Sequence, residues 1–350
     1  MNWLNFLLRT RDRRQLHWTD TVSYLYLVVG LFMMFAPVVW LVMSSFKTEA
    51  AIAQFPPSFL PYSQKSVSVP GHDKPLPLFT VTMEDGSKRE MVQINRIGIK
   101  ANMVDPAQPE ERISVNINQR QPVNELKWAW NNYTDLFGKF SFGTYLWNSV
   151  FITVVATALT LLFNSMAAFA LSKYRFKGQK FVFLLIIATL MIPPTIILVP
   201  VFLVINQVGL LNSLWGVILP AVATPTGVSP LRQYMLTIPD ELLEASKIDG
   251  AGPVRFFVDT VLPLSRTNIA ALFVILFIYG WNQYLWPLLI TTRADMQTIV
   301  IGIKKMIVTA DALTEWQIVM ATAMLAMIPP VAVVLLMQRW FVKGLVETEK

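Results

Sequence analysis

The chain has 350 residues, 54% of them hydrophobic and only 15% charged, with a net charge of +7. A soluble domain usually carries about 25% charge, so this composition points to lipid, and the basic excess sits at the ends of apolar stretches, where it reads as a topology signal and a headgroup contact rather than a nucleic-acid surface. Cys is absent, which excludes disulfides, thiolate metal sites and a thiol nucleophile, and two His, His17 and His72, are too few for most imidazole metal sites.

At the N-terminus Trp3, Leu4, Phe6, Leu7 and Leu8 precede Arg9, Arg11, Arg13 and Arg14. A secretory signal has the opposite order, charge before the apolar core. Residues 1–20 are therefore expected to form a cytoplasmic interfacial segment held by the basic cluster.

A helix needs roughly 20 apolar residues to cross a bilayer. The first stretch free of Asp, Glu, Lys and Arg lies between Asp20 and Lys47, which predicts transmembrane helix 1 over 21–47. Residues 48–138 are polar and charge-balanced. Within them Phe79-Thr80-Val81-Thr82-Met83 and Met91-Val92-Gln93-Ile94 flank Asp85-Gly86, an alternation broken by a turn pair that predicts a β-hairpin. Ile113-Ser114-Val115-Asn116-Ile117 reads as a further strand. This segment is expected to be a small β-rich periplasmic insert.

Residues 139–350 are expected to form the core domain with transmembrane helices 2–6. The second span is enclosed by Lys139 and Lys173. Between Lys180 and Arg232 lie about 50 uncharged residues, room for two spans, with the break at Gly209-Leu210-Leu211-Asn212-Ser213. Arg266 to Arg293 encloses the fifth span and Glu315 to Arg339 the sixth. The Lys and Arg residues of the N-terminal tail, of Lys173–Lys180, of Arg232–Arg266 and of Arg339 with Lys343 fall on one side of a six-span chain, so both termini are expected to be cytoplasmic. Pro37, Pro193-Pro194, Pro200, Pro220, Pro225, Pro287 and Pro329-Pro330 are expected to bend the spans, as helices around a pathway tolerate.

The loop 237–264 carries the most information. It runs Thr237-Ile238-Pro239-Asp240-Glu241-Leu242-Leu243-Glu244-Ala245-Ser246-Lys247-Ile248-Asp249-Gly250-Ala251 and continues to Leu262-Pro263. Thr237 as cap, Pro239 in the first turn and the acidic residues up to Glu244 favour a helix start. Gly250 and then Gly252-Pro253 end it. A short rigid helix projecting on the cytoplasmic side follows.

Glu244-Ala245-Ser246, Gly250-Ala251 and Leu262-Pro263 together resemble the EAA loop of ABC importer permeases. Ser246 departs from a second Ala that is frequent there, and remains small. The resemblance extends over nearly the whole chain apart from the insert, and is nearest to the carbohydrate-uptake group, relatives of the inner maltose permease. The stretch Phe277 to Lys350, with Trp281-Asn282-Gln283 and Met337-Gln338-Arg339, looks most like the sn-glycerol-3-phosphate permeases.

The resemblance implies an all-α membrane protein of the type I ABC importer fold, with six transmembrane helices plus the insert. It implies that Glu244, Ala245, Ser246, Asp249, Gly250 and Ala251 lie where a coupling helix docks on an ATPase subunit. It implies a second homologous permease, two ATPase subunits that bind ATP and Mg, and a periplasmic or extracellular solute-binding protein, in a bacterial inner membrane. It also implies that Arg293 to Trp316, with Gly302-Ile303-Lys304-Lys305-Met306, probes the binding protein.

For the solute path, Asn282 and Gln283 beside Trp281 and Tyr284 offer amides and aromatic faces, the groups that sugar-like ligands use. Trp286 adds a further aromatic face; Trp281 and Trp286 are read first as interfacial belt aromatics, and Asn148, Asn164 and Asn206 as ties between helices. The chain has no G-x-x-x-x-G-K-[ST] run, so ATP hydrolysis is expected on separate subunits and no catalytic residue on this one. A secondary solute transporter is the alternative, but the spans carry no Asp, Glu or His to relay protons. The solute is expected to be a carbohydrate, glycoside or polyol, sn-glycerol-3-phosphate among the candidates. Its phosphate needs a cation that these spans do not supply.

Overall fold

A computed structural model of the chain describes residues 18–70, 75–83, 86–106, 108–308 and 314–346. Of the interfacial segment expected over residues 1–20, residues 1–17 lie outside the described residues, as does His72, and residues 18–20 begin the first helix. The chain divides into two compact units, Met1–Leu136 with Glu315–Met324 and Phe137–Thr314 with Leu325–Lys350.

The first unit begins with α1 (Trp18–Ser45), which carries no charge after Asp20 and keeps Pro37 inside a continuous helix. Its 27-residue apolar stretch is roughly 40 Å long at 1.5 Å per residue, enough for the ~30 Å hydrocarbon core. Tyr26, Phe32 and Met34 stay exposed on it, as lipid-facing side chains do. A short helix α2 (Glu49–Ala53) follows, capped by the Thr48 hydroxyl, which accepts from the Ala51 N–H.

The β strands then run in order β1 (Tyr62–Gln64), β2 (Ser66–Val67), β3 (Leu76–Thr82), β4 (Lys88–Ile97), β5 (Lys100–Asp105), β6 (Gln108–Asn116), β7 (Arg120–Pro122) and β8 (Asn124–Leu126). The larger sheet has the order β2-β3-β4-β5-β6, with β7 also on β3, and β1 pairs β8 separately. Alternation fixes the register: Phe79 and Val81 pack with Met91, Met103 and Val115, while Leu78 points the other way into a cluster with Val69 and Val92. The β3–β4 hairpin pairs Thr82 with Lys88, and Gly86 takes φ +81° in its turn. Ile113 to Asn116 lie in β6.

Helix α3 (Asn131–Lys139) closes the end of α1. The last carbonyls of a helix have no partner within it. Here the Asn132 amide donates to the carbonyls of Ser45 (2.8 Å) and Lys47 (2.9 Å), and Tyr133 and Ser45 share a 2.7 Å hydroxyl contact. Lys47 folds over the Trp40 ring and donates to the Ser58 carbonyl.

The second unit is built on α4 (Phe142–Lys173), whose buried residues come from several faces, as expected for a central helix. Around it come α5 (Gln179–Leu190), α6 (Pro194–Gln207), α7 (Leu214–Val222), α8 (Val228–Thr237), α9 (Asp240–Ile248), α10 (Pro253–Leu264), α11 (Arg266–Trp281), α12 (Leu285–Ile290) and α13 (Ile299–Val308). The last helix, α14 (Trp316–Val346), holds Pro329 and Pro330 without a break.

Among the described residues three helices are long and apolar enough to cross a membrane, or up to five if each bent pair counts as one span. The six-span expectation is therefore met by continuous helices only for its first, second and last spans. The third is α5 and α6, bent by 101°, where Pro193 and Pro194 supply no N–H. The fourth is divided into α7 and α8 at Thr224-Pro225-Thr226-Gly227. The fifth meets its neighbour α10 at 77°. Counting uncharged residues does not register these breaks. By contrast Pro37, Pro200, Pro220 and Pro329-Pro330 all remain inside continuous helices.

Candidate functional site

The loop 237–264 is a helix, a turn and a second helix fastened to the end of α4. Thr237 does not cap α9: it is the last residue of α8, and its hydroxyl donates to the Tyr234 carbonyl at 2.7 Å. Pro239 occupies the N-cap position rather than one in the first turn, and makes no side-chain cap bond. The start of α9 is held instead by Lys173. Its ammonium donates to the Ile238 carbonyl and, at 2.8 Å, to the Asp240 carboxylate. Hydrogen bonding and charge from Lys173 keep Asp240 below the usual carboxylate range.

The C-terminal end of α9 follows from one residue. Gly250 has φ +73°, its N–H donates to the Lys247 carbonyl, and the Ala251 N–H donates to the Ser246 carbonyl. This is the Schellman arrangement, which a left-handed residue makes possible. Leu243 is the buried residue of α9 and packs with Phe169, Met235, Phe256 and Phe257. The Phe169 and Phe257 rings lie 5.1 Å apart. Arg232 and Gln179 both donate to the Leu171 carbonyl, and Tyr234 donates to the Leu264 carbonyl. The loop is thus a stiff body bolted to α4.

The same geometry sorts the predicted contact residues. Glu244, Ala245, Asp249 and Gly250 are exposed, and Ser246 and Ala251 are half-buried. The Ser246 hydroxyl is used internally, donating to the Leu243 carbonyl, so the residue contributes smallness rather than a free donor. Beside them Ile248 is 86% and Val254 76% exposed, two large apolar side chains that the sequence reading did not single out. Ile248 stands in sequence between the exposed Lys247 and Asp249.

The second candidate is a half-open cavity of about 230 Å³ lined by residues of α4, α6, α7, α11 and α12. Trp281 and Gln283 line it. Asn282 and Tyr284 are not among its lining residues: the Asn282 amide turns back to the Ile278 carbonyl (2.8 Å), and Tyr284 stands at the start of α12. Trp286 lines the cavity as well, so both Trp281 and Trp286 face it rather than standing only as interfacial residues.

The sequence reading missed the polar wall. Ser149, Thr153, Thr157 and Thr160 descend one face of α4 and line the cavity. Their spacing of four, four and three residues is the helical repeat. A hydroxyl stripe at that spacing in a lipid-length helix was the available signal, since polar groups there face inward. Thr160 is spent on the Ala156 and Ala221 carbonyls, and just beyond it Asn164 donates to the Thr224 carbonyl.

The segment 291–298 contributes Thr298 to the cavity lining. Asn148 donates to the carbonyls of Asp295 (2.8 Å) and Gln297 (3.0 Å), and the Ser149 hydroxyl accepts from the Ile299 N–H. Asn212, at φ +54°, accepts with its side-chain oxygen from the N–H groups of Thr292 and Arg293. These ties hold Thr298 against the cavity.

Comparison with known proteins bears on both features. The family described as the binding-protein-dependent transport system inner membrane component matches residues 161–347, which include the whole loop 237–264. The sn-glycerol-3-phosphate transport system permease protein UgpE of Brucella melitensis is 53% identical over 205 residues, 59% of this chain and 73% of that protein. Its counterpart from Yersinia enterocolitica is 52% identical over 209 residues, 60% of this chain and 74% of that protein. A solved bacterial ABC transporter, described as involved in the import of the acidic polysaccharide alginate, shares the fold with a TM-score of 0.67 at 19% identity, covering 95% of this chain and 99% of that one.

Proposed function

This chain belongs to the family of binding-protein-dependent transport system inner membrane components and is a permease subunit of an ABC importer, and from that premise we propose that it carries a polyol-type solute, with sn-glycerol-3-phosphate the first candidate. Relatives more than half identical over the shared region bear the name of that solute. A carbohydrate or glycoside is the second candidate, favoured by the uncharged lining of the cavity.

The observation that carries the reading is the loop 237–264. A nine-residue helix, clamped by Lys173 at one end and closed by Gly250 at the other, transmits force without bending. In this proposal Glu244, Ala245, Ser246, Asp249, Gly250 and Ala251, with Ile248 and Val254 beside them, meet an ATPase subunit. Closure of two such ATPases on ATP and Mg pulls α9, and the aromatic packing of Phe169, Phe256 and Phe257 passes the movement to α4. A second permease and a solute-binding protein complete the assembly.

The proposal includes six spans, the two bent pairs and the divided fourth span each counting as one crossing, with both termini in the cytoplasm. The β-sheet segment then lies outside, as does the segment 291–308. Trp281 and Gln283 belong to the solute path; Asn282 and Tyr284 are retained only as neighbours that set the turn between α11 and α12.

The test is ATPase activity of the reconstituted complex in the presence of its binding protein. Stimulation by sn-glycerol-3-phosphate and not by neutral sugars supports the first candidate, stimulation by a neutral sugar the second. A complex stimulated by neither, though assembled and active as an ATPase, removes the reading.

A further inference from the structure

Between Glu49 and Lys65 residues 50–64 carry no charge, and Phe55-Pro56-Pro57-Ser58-Phe59-Leu60-Pro61 lies within that run. This segment turns back along α1 instead of leading away from it. The Phe59 ring stands 6.2 Å from that of Trp40, and the Lys47 ammonium, held over the Trp40 ring, donates to the Ser58 carbonyl. Trp40 precedes Ser45, the last residue of α1, by five positions. At 1.5 Å per residue Phe59 therefore packs at a level about 7–8 Å inside the end of the helix.

Irregular backbone at such a level is tolerated where its polar groups are already satisfied. Pro56, Pro57 and Pro61 bring no N–H. The Ser58 carbonyl accepts from Lys47. The Leu60 carbonyl accepts from the Tyr62 N–H at 2.8 Å and the Ser58 hydroxyl at 3.0 Å, and the Pro61 carbonyl from the Lys127 N–H at 3.0 Å. The side chains, by contrast, are left outward: Phe55 is 91% exposed, and Phe59 and Leu60 are exposed beside it. Where the chain returns, Trp128 and Trp130 meet the Phe46 ring edge-on at 5.2 and 4.9 Å, and Trp130 stays 66% exposed. The Ala129 N–H donates to the Phe46 carbonyl at 2.9 Å, which fixes both Trp residues at the level of the helix end.

We propose that Phe55–Pro61 and Trp128–Trp130 form a lipid-binding collar, seated in the leaflet at which α1 ends. Phe55 and Phe59 enter the upper acyl region, and Trp128 and Trp130 lie among the headgroups. Aromatic side chains are enriched in that layer, and interfacial elements reach about 5–10 Å into it. The occupant is lipid because the collar is level with the last turns of α1 and continues the exposed apolar surface of that helix, to which Phe32 and Phe35 belong.

The test is photocrosslinking in the complete importer reconstituted in phospholipid liposomes. p-Benzoylphenylalanine is placed at Phe55, at Trp130 and, as the reference on α1, at Phe32, and the mass of this subunit is read after illumination. A phospholipid adduct at Phe55 and Trp130, within several-fold of the yield at Phe32, is the expected result. Crosslinking to another protein of the complex instead of lipid overturns the collar, as does no adduct where Phe32 gives one. Should these variants not assemble, the absence of Cys from the chain supplies a second measurement. Phe55→Cys and Glu90→Cys, the latter at an exposed position on β4, each introduce the chain's only thiol. Phe55→Cys reacts several-fold faster with a long-chain alkyl maleimide dissolved in the bilayer than with a charged maleimide, and Glu90→Cys shows the reverse preference. The same preference in both variants overturns the assignment. No transported solute enters either measurement, so the outcome is independent of the solute reading.

Discussion

The Lys173 ammonium lies 2.8 Å from the Asp240 carboxylate and so joins the last residue of the central helix to the first turn of the helix at the centre of the loop 237–264. The pair is asymmetric: the Lys173 side chain is 1% exposed and that of Asp240 77%. Lys173 also satisfies the Ile238 carbonyl, so it is the member whose loss leaves a buried group unpaired.

Lys173→Met is accordingly expected to loosen α9 by about 1–3 kcal/mol, the cost of an unsatisfied buried acceptor. Amide exchange in α9 then speeds roughly tenfold or more. Asp240→Asn is milder, since the bond to Ile238 survives. The folded-state pKa of Asp240 is depressed, so its contribution is present above the ordinary carboxylate titration and lost as pH falls through the lower folded value. Exchange in α9 therefore accelerates in acid below the ordinary carboxylate range, and Asp240→Asn abolishes that component. A pH profile identical in the two proteins contradicts the pairing.

Gly250 supplies the next expectation. Its φ of +73° is a conformation that costs an L-residue roughly 1 kcal/mol or more. Gly250→Ala weakens the turn, and Gly250→Pro breaks it, because proline fixes φ near −65° and removes the N–H bonded to Lys247. The Pro variant inserts into the membrane but hydrolyses ATP without uptake, and Glu244→Lys has the same phenotype through charge reversal at the exposed face. Undiminished uptake in both variants removes the coupling assignment.

A packing prediction concerns Gly302. A methyl group there meets the Phe140 ring at 2.4 Å and the Tyr145 ring at 2.7 Å, and those rings are already in edge contact at 4.8 Å. Gly302→Ala is expected to destabilise by about 1–3 kcal/mol through overpacking. Gly30→Ala, with nothing within 4 Å, serves as the control and leaves the thermal midpoint unchanged or raised. Equal midpoints for the two variants contradict the packing around Gly302.

What was legible in the sequence depended on scale. The uncharged stretches located α1, α4 and α14, because lipid-length helices need only composition. The β3–β4 hairpin was readable from alternation around Asp85-Gly86, and the end of α9 from Gly250, since each has a local cause. The prolines marked the bend at Pro193-Pro194 and the break at Pro225, but Pro329-Pro330 lies inside a continuous helix, so tertiary packing decides which prolines interrupt one. Thr237 was misread as a cap because its hydroxyl had a nearer acceptor one turn back. Neighbouring Asn282 and Gln283 diverged, one turning back on its helix and the other reaching the cavity, a difference of side-chain direction that residue type does not encode. The hydroxyl stripe of α4 was visible in principle but has no charge to draw notice.

The last prediction concerns Asn148, which the sequence reading treated as a tie between helices. The residue proves to tie a helix to a loop, donating to two carbonyls of the segment 291–298. Asn148→Leu keeps the branching at Cγ and strands both acceptors, a loss of about 1–3 kcal/mol. Asn148→Asp is worse, because an ionised carboxylate has no donor and faces two carbonyl oxygens. The loosened segment exposes the bond after Arg293 to trypsin, so cleavage there is expected to rise in the order Asn, Leu, Asp. Ser149→Ala isolates the neighbouring tie, since it removes only the acceptor for the Ile299 N–H. Because Thr298 stands between these two anchors, each variant also shifts the solute dependence of ATPase stimulation. Faster cleavage without that shift would separate the segment from the cavity and confine Asn148 to a structural role.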